Sequence, residues 1–167
     1  MNQGRLYWIT GLSGAGKTTI GTALYNKIRE KKSNAVLLDG DKLRDVYGGA
    51  FGYTESERRK GALCNAKLCR LLTSQGIDVV CCTISMYDGV RDWNRANNEK
   101  YTEVYLKVTL DTLIKRDKKG LYSSKADNVV GINQAMEEPK HPDVLIKNDG
   151  QEKVDDIVDK ILATVDK

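Results

Sequence analysis

The chain has 167 residues, of which 40% are hydrophobic and 30% charged. These values predict one globular domain over residues 1–167 and exclude a disordered chain. The formal net charge of +4 comes without a block of basic residues, which argues against nucleic acid as a partner. No apolar stretch approaches the roughly 18–20 residues of a membrane-spanning helix, so no membrane association is expected.

Short apolar runs alternate with amphipathic stretches along the chain, a pattern that predicts strands and helices in turn. We expect strands at residues 6–10, 35–38, 77–83, 103–108 and 144–146, and helices at residues 17–31, 55–75, 90–100, 111–117 and 154–165. Thr54 and Glu57 have the spacing of a capping box at the start of the second of these helices. The alternation predicts a parallel five-stranded sheet in a three-layer α/β/α sandwich.

The N-terminus and the cysteines favour a cytoplasmic protein. Residues 1–5 lack the pattern of a signal peptide. Cys81 and Cys82 are adjacent within an apolar run, as expected for buried thiols in a reducing compartment. No Cys-x-x-Cys pair occurs and the single histidine, His141, is remote from the cysteines in sequence, so we expect no cysteine–histidine metal site.

Polar residues follow the predicted strands, at the edge where ligands bind in parallel α/β sheets. Asp39 and Asp41 come after the second strand, and Ser85 comes after the third. The segment 118–140 has no clear period and is predicted to be a mobile lid loop. We therefore expect the chemistry at this edge of the sheet.

A phosphate-binding loop follows the first strand. Residues 11–18, GLSGAGKT, match G-x-x-x-x-G-K-[ST] between a predicted strand and a predicted helix. In such a loop, backbone N–H groups face phosphate oxygens, Lys17 reaches the β- and γ-phosphates of ATP, and the Thr18 hydroxyl binds Mg²⁺. The predicted ATP contacts are Gly11, Ser13, Gly14, Ala15, Gly16, Lys17, Thr18 and Thr19.

The motif predicts a P-loop NTPase fold, which kinases, GTPases and ATP-driven motors share. The guanine-reading Asn-Lys-x-Asp motif of GTPases does not occur, and motors are usually larger. These points favour a kinase that acts on a small molecule.

Five further segments follow one another along the chain. They are residues 37–44 (LLDGDKLR), 52–58 (GYTESER), 83–85 (TIS), 116–122 (RDKKGLY) and 138–139 (EP). Together with the phosphate loop they resemble the adenylylsulfate kinases, which phosphorylate the 3′-hydroxyl of adenosine 5′-phosphosulfate (APS). The resemblance implies ATP and Mg²⁺ as cofactors, a small-molecule nucleotide as acceptor, and a homodimer.

The resemblance also implies roles for polar residues. Asp41 or Asp39 would orient the acceptor hydroxyl, take up its proton and help to hold Mg²⁺, with Asp41 and Thr18 as the metal ligands. One of the two aspartates could instead cap the next helix. Arg44 and Arg58 would bind the anionic group of the acceptor, for which a guanidinium is suited, or they could be ordinary surface arginines.

Other implied site residues surround the two nucleotides. Arg116 would contact ATP, and Lys119 would lie in the lid that closes over the site. Ser85 matches a family serine that is phosphorylated or contacts substrate, although a strand-end hydroxyl bonded to nearby backbone is an alternative. Tyr53 occupies the position of an aromatic ring that stacks on the acceptor base, or is a half-buried core aromatic. The remaining acceptor contacts would be Ile84, Leu121, Val130 and Gly131.

The chain departs from the family pattern around the acceptor. Gly61, Leu63 and Cys64 replace an Asn and two Arg, Met86 replaces a Pro, and Val130 replaces a second stacking ring. Losing that ring would cost about 1–3 kcal/mol of base binding, and losing the Asn about 1 kcal/mol more.

These departures leave two acceptor hypotheses. One is APS; the other, slightly favoured, is cytidine diphosphoramidate, the acceptor of a family branch in bacterial capsule synthesis, whose smaller base needs less stacking surface. A third hypothesis, a non-catalytic nucleotide-binding regulator, predicts a damaged Lys17 or Thr18, or the loss of both Asp39 and Asp41. All four residues are intact.

Overall fold

A computed structural model describes residues 2–117, 120–124, 127 and 129–165. The strands within this part are β1 (Leu6–Thr10), β2 (Ala35–Asp39), β3 (Asp78–Thr83), β4 (Tyr101–Lys107) and β5 (Val144–Lys147). The helices are α1 (Lys17–Arg29), α2 (Gly40–Val46), α3 (Glu55–Ser74), α4 (Asp88–Asn97), α5 (Leu110–Lys115) and α6 (Val154–Ala163). None of these helices has the length and apolarity that crossing a bilayer requires.

The strands form one parallel sheet in the order β2-β3-β1-β4-β5, which confirms the predicted fold class. Alternate residues of β1 face opposite layers because strand side chains alternate in direction. Ile9 packs with α1 and α6 on one face, while Trp8 packs with α3 and α4 on the other. The sheet is therefore covered on both sides, and its carboxyl edge remains for ligands.

Most elements lie within a few residues of their predicted positions, and the capping box at Thr54 and Glu57 is confirmed. The sequence pattern did not place α2, a helix of seven residues that begins directly after β2. It is too short to show a clear period, with Leu43 as its one buried residue. Its first turn brings Asp41 to the carboxyl edge of the sheet.

The packing of α1 on the sheet depends on the absence of a side chain at Gly21. A Cβ there would overlap Cys82 Sγ of β3 and lie 3.5 Å from Ile9 Cδ1 of β1. We expect Gly21→Ala to lower the free energy of unfolding by about 1–3 kcal/mol, because an overpacked core must shift. Urea unfolding followed by circular dichroism would measure the change.

The matched control is Gly89→Ala in α4, where a Cβ would meet nothing within 4 Å. This variant is expected to gain up to about 1 kcal/mol, since alanine favours the helix more than glycine does. Equal stability of the two alanine variants would contradict a tight contact between α1 and β3.

Candidate active site

A cavity of about 850 Å³ opens at the carboxyl edge of the sheet. Its walls come from the phosphate loop, from α2 and α3, from residues after β3, and from residues after β5. The volume is within the usual range for small-ligand sites. Polar groups predicted from separate parts of the sequence therefore meet around one space.

The phosphate loop is held in shape from outside. Gly16 has a φ of 94°, a left-handed conformation that favours glycine, and a Cβ there would lie 2.6 Å from Asn148 Nδ2. Asn148, which follows β5, donates from Nδ2 to the carbonyl of Ala15 at 2.8 Å. Lys17 Nζ donates to the carbonyl of Leu12 at 2.7 Å, so its ammonium is folded against the loop.

The segment that follows α5 contacts the same loop. The Tyr122 hydroxyl donates to the carbonyl of Ser13 at 2.7 Å, and Arg116 Nη1 lies 3.4 Å from the carbonyl of Gly14. Asp117 accepts hydrogen bonds from the backbone N–H and the hydroxyl of Ser123, at 2.9 and 2.7 Å, which ties Ser123 to the end of α5. Burial raises the pKa of Tyr122 to about 12, so its hydroxyl stays protonated.

The two aspartates after β2 have different surroundings. Asp39 caps α2, because its Oδ1 accepts from the backbone N–H groups of Asp41 and Lys42. Its Oδ2 accepts from the Thr18 hydroxyl at 2.6 Å. Asp41 is exposed and lies at the cavity wall. Asp39 is thus a helix cap that also contacts the phosphate loop.

The oxygens near Thr18 fit a magnesium ion. A hydroxyl and carboxylates at the wall of a phosphate site are hard oxygen ligands of the kind that Mg²⁺ prefers. Within the described part of the chain, no group of three or more His, Cys, Asp and Glu side chains could hold a metal. A few protein oxygens are sufficient for Mg²⁺, because it usually keeps waters and binds phosphate oxygens as well.

Two arginines lie beside one aromatic ring, Tyr53, in the part of the cavity that is predicted to bind the acceptor and is called the acceptor half below. The Arg44 guanidinium lies 4.4 Å from the centroid of Tyr53, and that of Arg58 lies 5.2 Å from it. Backbone carbonyls hold both arginines: Arg44 Nη1 donates to Phe51 at 2.7 Å, and Arg58 Nε donates to Tyr53 at 3.0 Å. Burial, and then the charge of Arg44, lower the pKa of Arg58. Two fixed positive charges this close together favour an anion.

The Phe51 ring lies beside Gly61, a position where the sequence departs from the family pattern. A Cβ at Gly61 would lie 3.4–3.5 Å from three atoms of Phe51, so the ring packs directly on this turn of α3. The rings of Phe51 and Tyr47 meet edge to face at 5.4 Å. Tyr47 donates to Asn65 Oδ1 at 2.8 Å.

Residues after β3 close another wall. Ser85 is a non-glycine residue with positive φ, at 32°, and its hydroxyl lies 2.7 Å from that of Thr83. The Thr10 hydroxyl donates to the Ile84 carbonyl. Val130 is 5% exposed and packs in a cluster with Met86 and Tyr105. A strained backbone at Ser85 is typical of a functional site, and its hydroxyl bonds a side chain rather than backbone.

Most of the predicted site residues meet at this cavity. Its wall includes Ser13, Gly14, Gly16, Lys17, Thr18, Thr19, Asp39, Asp41, Arg44, Tyr53, Arg58, Ile84, Ser85, Arg116, Leu121 and Val130. Among the other predicted site residues in the described part of the chain, Gly11, Ala15 and Gly131 do not line the cavity. A Cβ at Gly11 would lie 2.7 Å from the Leu106 carbonyl, and one at Gly131 would lie 3.0 Å from Leu12. Lys119 lies outside the described residues.

Several residues at the site were missed in the sequence. Asn148, Tyr47, Phe51 and Asn65 lie at the cavity wall but belong to no recognised motif. Asn65 could have been found from helical spacing, because it lies four residues after Gly61 and therefore on the same face of α3.

Glu137 was also missed, and its side chain joins the segment before β5 to α3 and α4. It accepts from Arg59 Nη2 and from the Asp88 N–H, both at 2.6 Å. The hydrogen bond from Arg59 lowers the pKa of Glu137. The adjacent glutamate in the Glu138-Pro139 segment gave no sign of this contact in the sequence.

The parallel sheet, the phosphate loop and the cavity define a P-loop NTPase fold with a site for a small ligand. A family model described as adenylylsulphate kinase matches residues 3–147. The chain therefore belongs to the adenylylsulphate kinase family, whose members are phosphotransferases that use ATP.

Relatives of known name support this assignment. The chain is 40% identical to the cytidine diphosphoramidate kinase of Campylobacter jejuni, covering 96% of this chain and 98% of that protein. It is 36% identical to a probable adenylyl-sulfate kinase of Archaeoglobus fulgidus, covering 87% of this chain and 97% of that one.

A solved structure gives the same fold. The Mycobacterium tuberculosis APS kinase in complex with AMPPNP and APS superposes with a TM-score of 0.90 at 26% identity, covering 100% of both chains. The match therefore includes all the strands and helices described above.

Proposed function

We propose that this kinase transfers the γ-phosphoryl group of ATP to the ribose 3′-hydroxyl of cytidine diphosphoramidate, as in capsule phosphoramidate synthesis. The observation that carries the proposal is the acceptor half of the cavity. Phe51 packs on Gly61, and Val130, which the family resemblance assigns to the position of a second stacking ring, is buried. A pyrimidine needs less stacking surface than adenine, so one ring at Tyr53 suits it better.

The similarity to a cytidine diphosphoramidate kinase supports the same acceptor. The 40% identity to that protein extends over nearly the whole of both chains. The acceptor is a nucleotide whose terminal phosphate carries an amino group in place of one oxygen. Arg44 and Arg58 would bind the anionic oxygens of its phosphate chain.

The chain's own residues supply positioning and charge. Asp41 is proposed as the base that takes the proton of the 3′-hydroxyl, because it lies at the cavity wall beyond the phosphate loop. Lys17 and the loop amides would stabilise the charge on the transferred phosphoryl group.

Magnesium is proposed at Thr18, with Asp41 as a predicted ligand and Asp39 oriented by its contact with the Thr18 hydroxyl. The ion would neutralise phosphate charge. The adjacent Arg116 and Tyr122 would exclude water once the lid covers the site.

APS is the second candidate acceptor. The family model and several relatives carry the name of adenylyl-sulfate kinase. Tyr53 and the two arginines would serve APS as well, because they bind a base and an anionic chain. This candidate requires adenine to bind with Val130 in place of a second ring.

The test compares the two acceptors on the same enzyme with ATP and Mg²⁺. We expect kcat/KM to be at least about 30-fold higher with cytidine diphosphoramidate than with APS, since the pocket has lost adenine contacts worth about 2 kcal/mol or more. The same comparison is made with Val130→Phe, which should raise kcat/KM for APS relative to kcat/KM for cytidine diphosphoramidate. Faster turnover of APS by the wild type would refute the proposed acceptor.

A further inference from the structure

Tyr47 and Asn65 form a neutral polar pair in the acceptor half of the cavity, and the transfer step itself does not use it. We propose that Asn65, oriented by Tyr47, recognises the terminal phosphoramide group of the acceptor and selects it over a terminal phosphate or sulfate. The inference rests on the proposed function, and it identifies Asn65 as the residue that makes the enzyme specific for a phosphoramide acceptor.

The pair lies along the same cavity walls as the two arginines. Arg58, Gly61 and Asn65 are spaced i, i+3 and i+7 on α3, so they share one helix face. Arg44 and Tyr47 are spaced i and i+3 on α2 and its C-cap. All five line the cavity. Each wall therefore carries a guanidinium first and a neutral polar group farther on, about one helical turn after Arg44 on α2 and about two turns after Arg58 on α3.

This order matches a chain of two linked phosphoryl groups. With its charged oxygens at the guanidinium groups of Arg44 and Arg58, such a chain extends past Gly61 toward Asn65. Along the helix axis, Asn65 lies about 6 Å beyond Gly61 and about 10 Å beyond Arg58. Position 61 has no side chain and so leaves this path open, with the Phe51 ring as its apolar side. The terminal group of the acceptor is then the part nearest to the pair.

Asn65 is buried but keeps an unused donor. Only 7% of the residue is exposed, and Oδ1 accepts from the Tyr47 hydroxyl. Among the described residues, no protein group bonds Asn65 Nδ2, and this atom is not sealed away from solvent. Because Asn65 lies at the cavity wall, Nδ2 is available to a ligand there.

Tyr47 fixes which way the amide faces. Burial, and then a hydrogen bond with Cys64, raise the pKa of the Tyr47 hydroxyl above its ordinary value. The hydroxyl therefore stays protonated and donates to Oδ1. The Phe51 ring against Tyr47 holds the phenol in place. The amide then has Nδ2 and one lone pair of Oδ1 left for a ligand.

A carboxamide held in this way complements a phosphoramide. Asn65 Nδ2 can donate to a phosphoryl oxygen while the P–NH₂ group donates to the second lone pair of Oδ1. A terminal sulfate or ionised phosphate offers acceptor oxygens, one of which would then face Oδ1 without a proton between them. A site built to bond an N–H group discriminates against the analogue that lacks it.

The test uses cytidine diphosphoramidate and CDP, which differ in the terminal P–NH₂ or P–O group. Dissociation constants from calorimetry are the main readout and kcat/KM the second. Asn65→Leu should weaken binding of the diphosphoramidate by about 10- to 100-fold, because two hydrogen bonds are lost, and change CDP binding less than threefold. Tyr47→Phe keeps the ring and should weaken binding of the diphosphoramidate by about 3- to 10-fold.

Lys67→Leu, an exposed change on the same helix, is the control and should leave both constants unchanged. Thermal unfolding of each variant shows whether the fold is retained. If the ratio of the dissociation constants for CDP and cytidine diphosphoramidate is the same in Asn65→Leu and in Tyr47→Phe as in the wild type, the role of Asn65 is overturned. This holds even if the wild type prefers the diphosphoramidate to APS. A wild type that prefers APS would instead overturn the proposed function.

Discussion

Replacing Lys17 with alanine is expected to lower kcat by about 10³-fold while leaving the fold intact. Lys17 belongs to the phosphate loop and is the first residue of α1, where its ammonium would stabilise charge on the transferred phosphoryl group. Lys17 Nζ now bonds the Leu12 carbonyl, a contact that the arrival of phosphate would exchange for a stronger charged one. ADP release in the presence of acceptor measures the rate.

Lys27→Ala is the matched control for this variant. Lys27 lies on the same helix, where it forms an exposed ion pair with Glu30 at 3.7 Å. Exposed pairs contribute little, so activity and stability should both stay close to the wild type. A Lys17→Ala enzyme with near wild-type turnover would show that the loop at residues 11–18 does not bind ATP as assigned.

Asp41→Asn is expected to lower kcat by about 10²- to 10⁴-fold, the usual contribution of a general base. Asparagine has nearly the same shape and cannot accept the proton, so KM for both substrates should change much less than kcat. The helix start should survive, because Asp39 rather than Asp41 is the cap of α2. Steady-state kinetics with varied acceptor separates the two parameters.

Asp39→Asn serves as the comparison. Asparagine is also a good N-cap, so α2 should keep its start. The charge beside the Thr18 hydroxyl disappears, and the expected result is a higher Mg²⁺ concentration at half-maximal rate, with much of kcat recovered at high Mg²⁺. A greater loss of kcat in Asp39→Asn than in Asp41→Asn, at saturating Mg²⁺, would reverse the two roles.

Local patterns predicted the layers of the fold because a buried strand and an amphipathic helix each have their own period. The apolar run before Thr83 and the spacing of Ile20, Leu24 and Ile28 required no knowledge of neighbours. Helix α2 was missed since seven residues are too few for a period. The sequence left two roles open for Asp39, a catalytic carboxylate or the cap of the next helix, and the structure shows the cap.

The acceptor half of the cavity was less accessible to sequence reasoning. Motif positions identified Arg44, Tyr53 and Arg58, which the structure places around one ring. Tyr47, Phe51 and Asn65 belong to no motif, and their contacts join α2 and the segment after it to α3. Such contacts depend on how two helices pack, and a single sequence does not encode them at a fixed spacing.

The sequence by itself determined the phosphate loop, the parallel α/β architecture and the family, because each depends on residues close together or on a repeated local period. The tertiary structure decided that Asp39 contacts Thr18 and that Phe51 covers Gly61. It also decided that Asn65 lies at the cavity wall, where its Nδ2 can donate to a ligand. These depend on side chains from different elements meeting at one sheet edge, and only the packed chain fixes those distances.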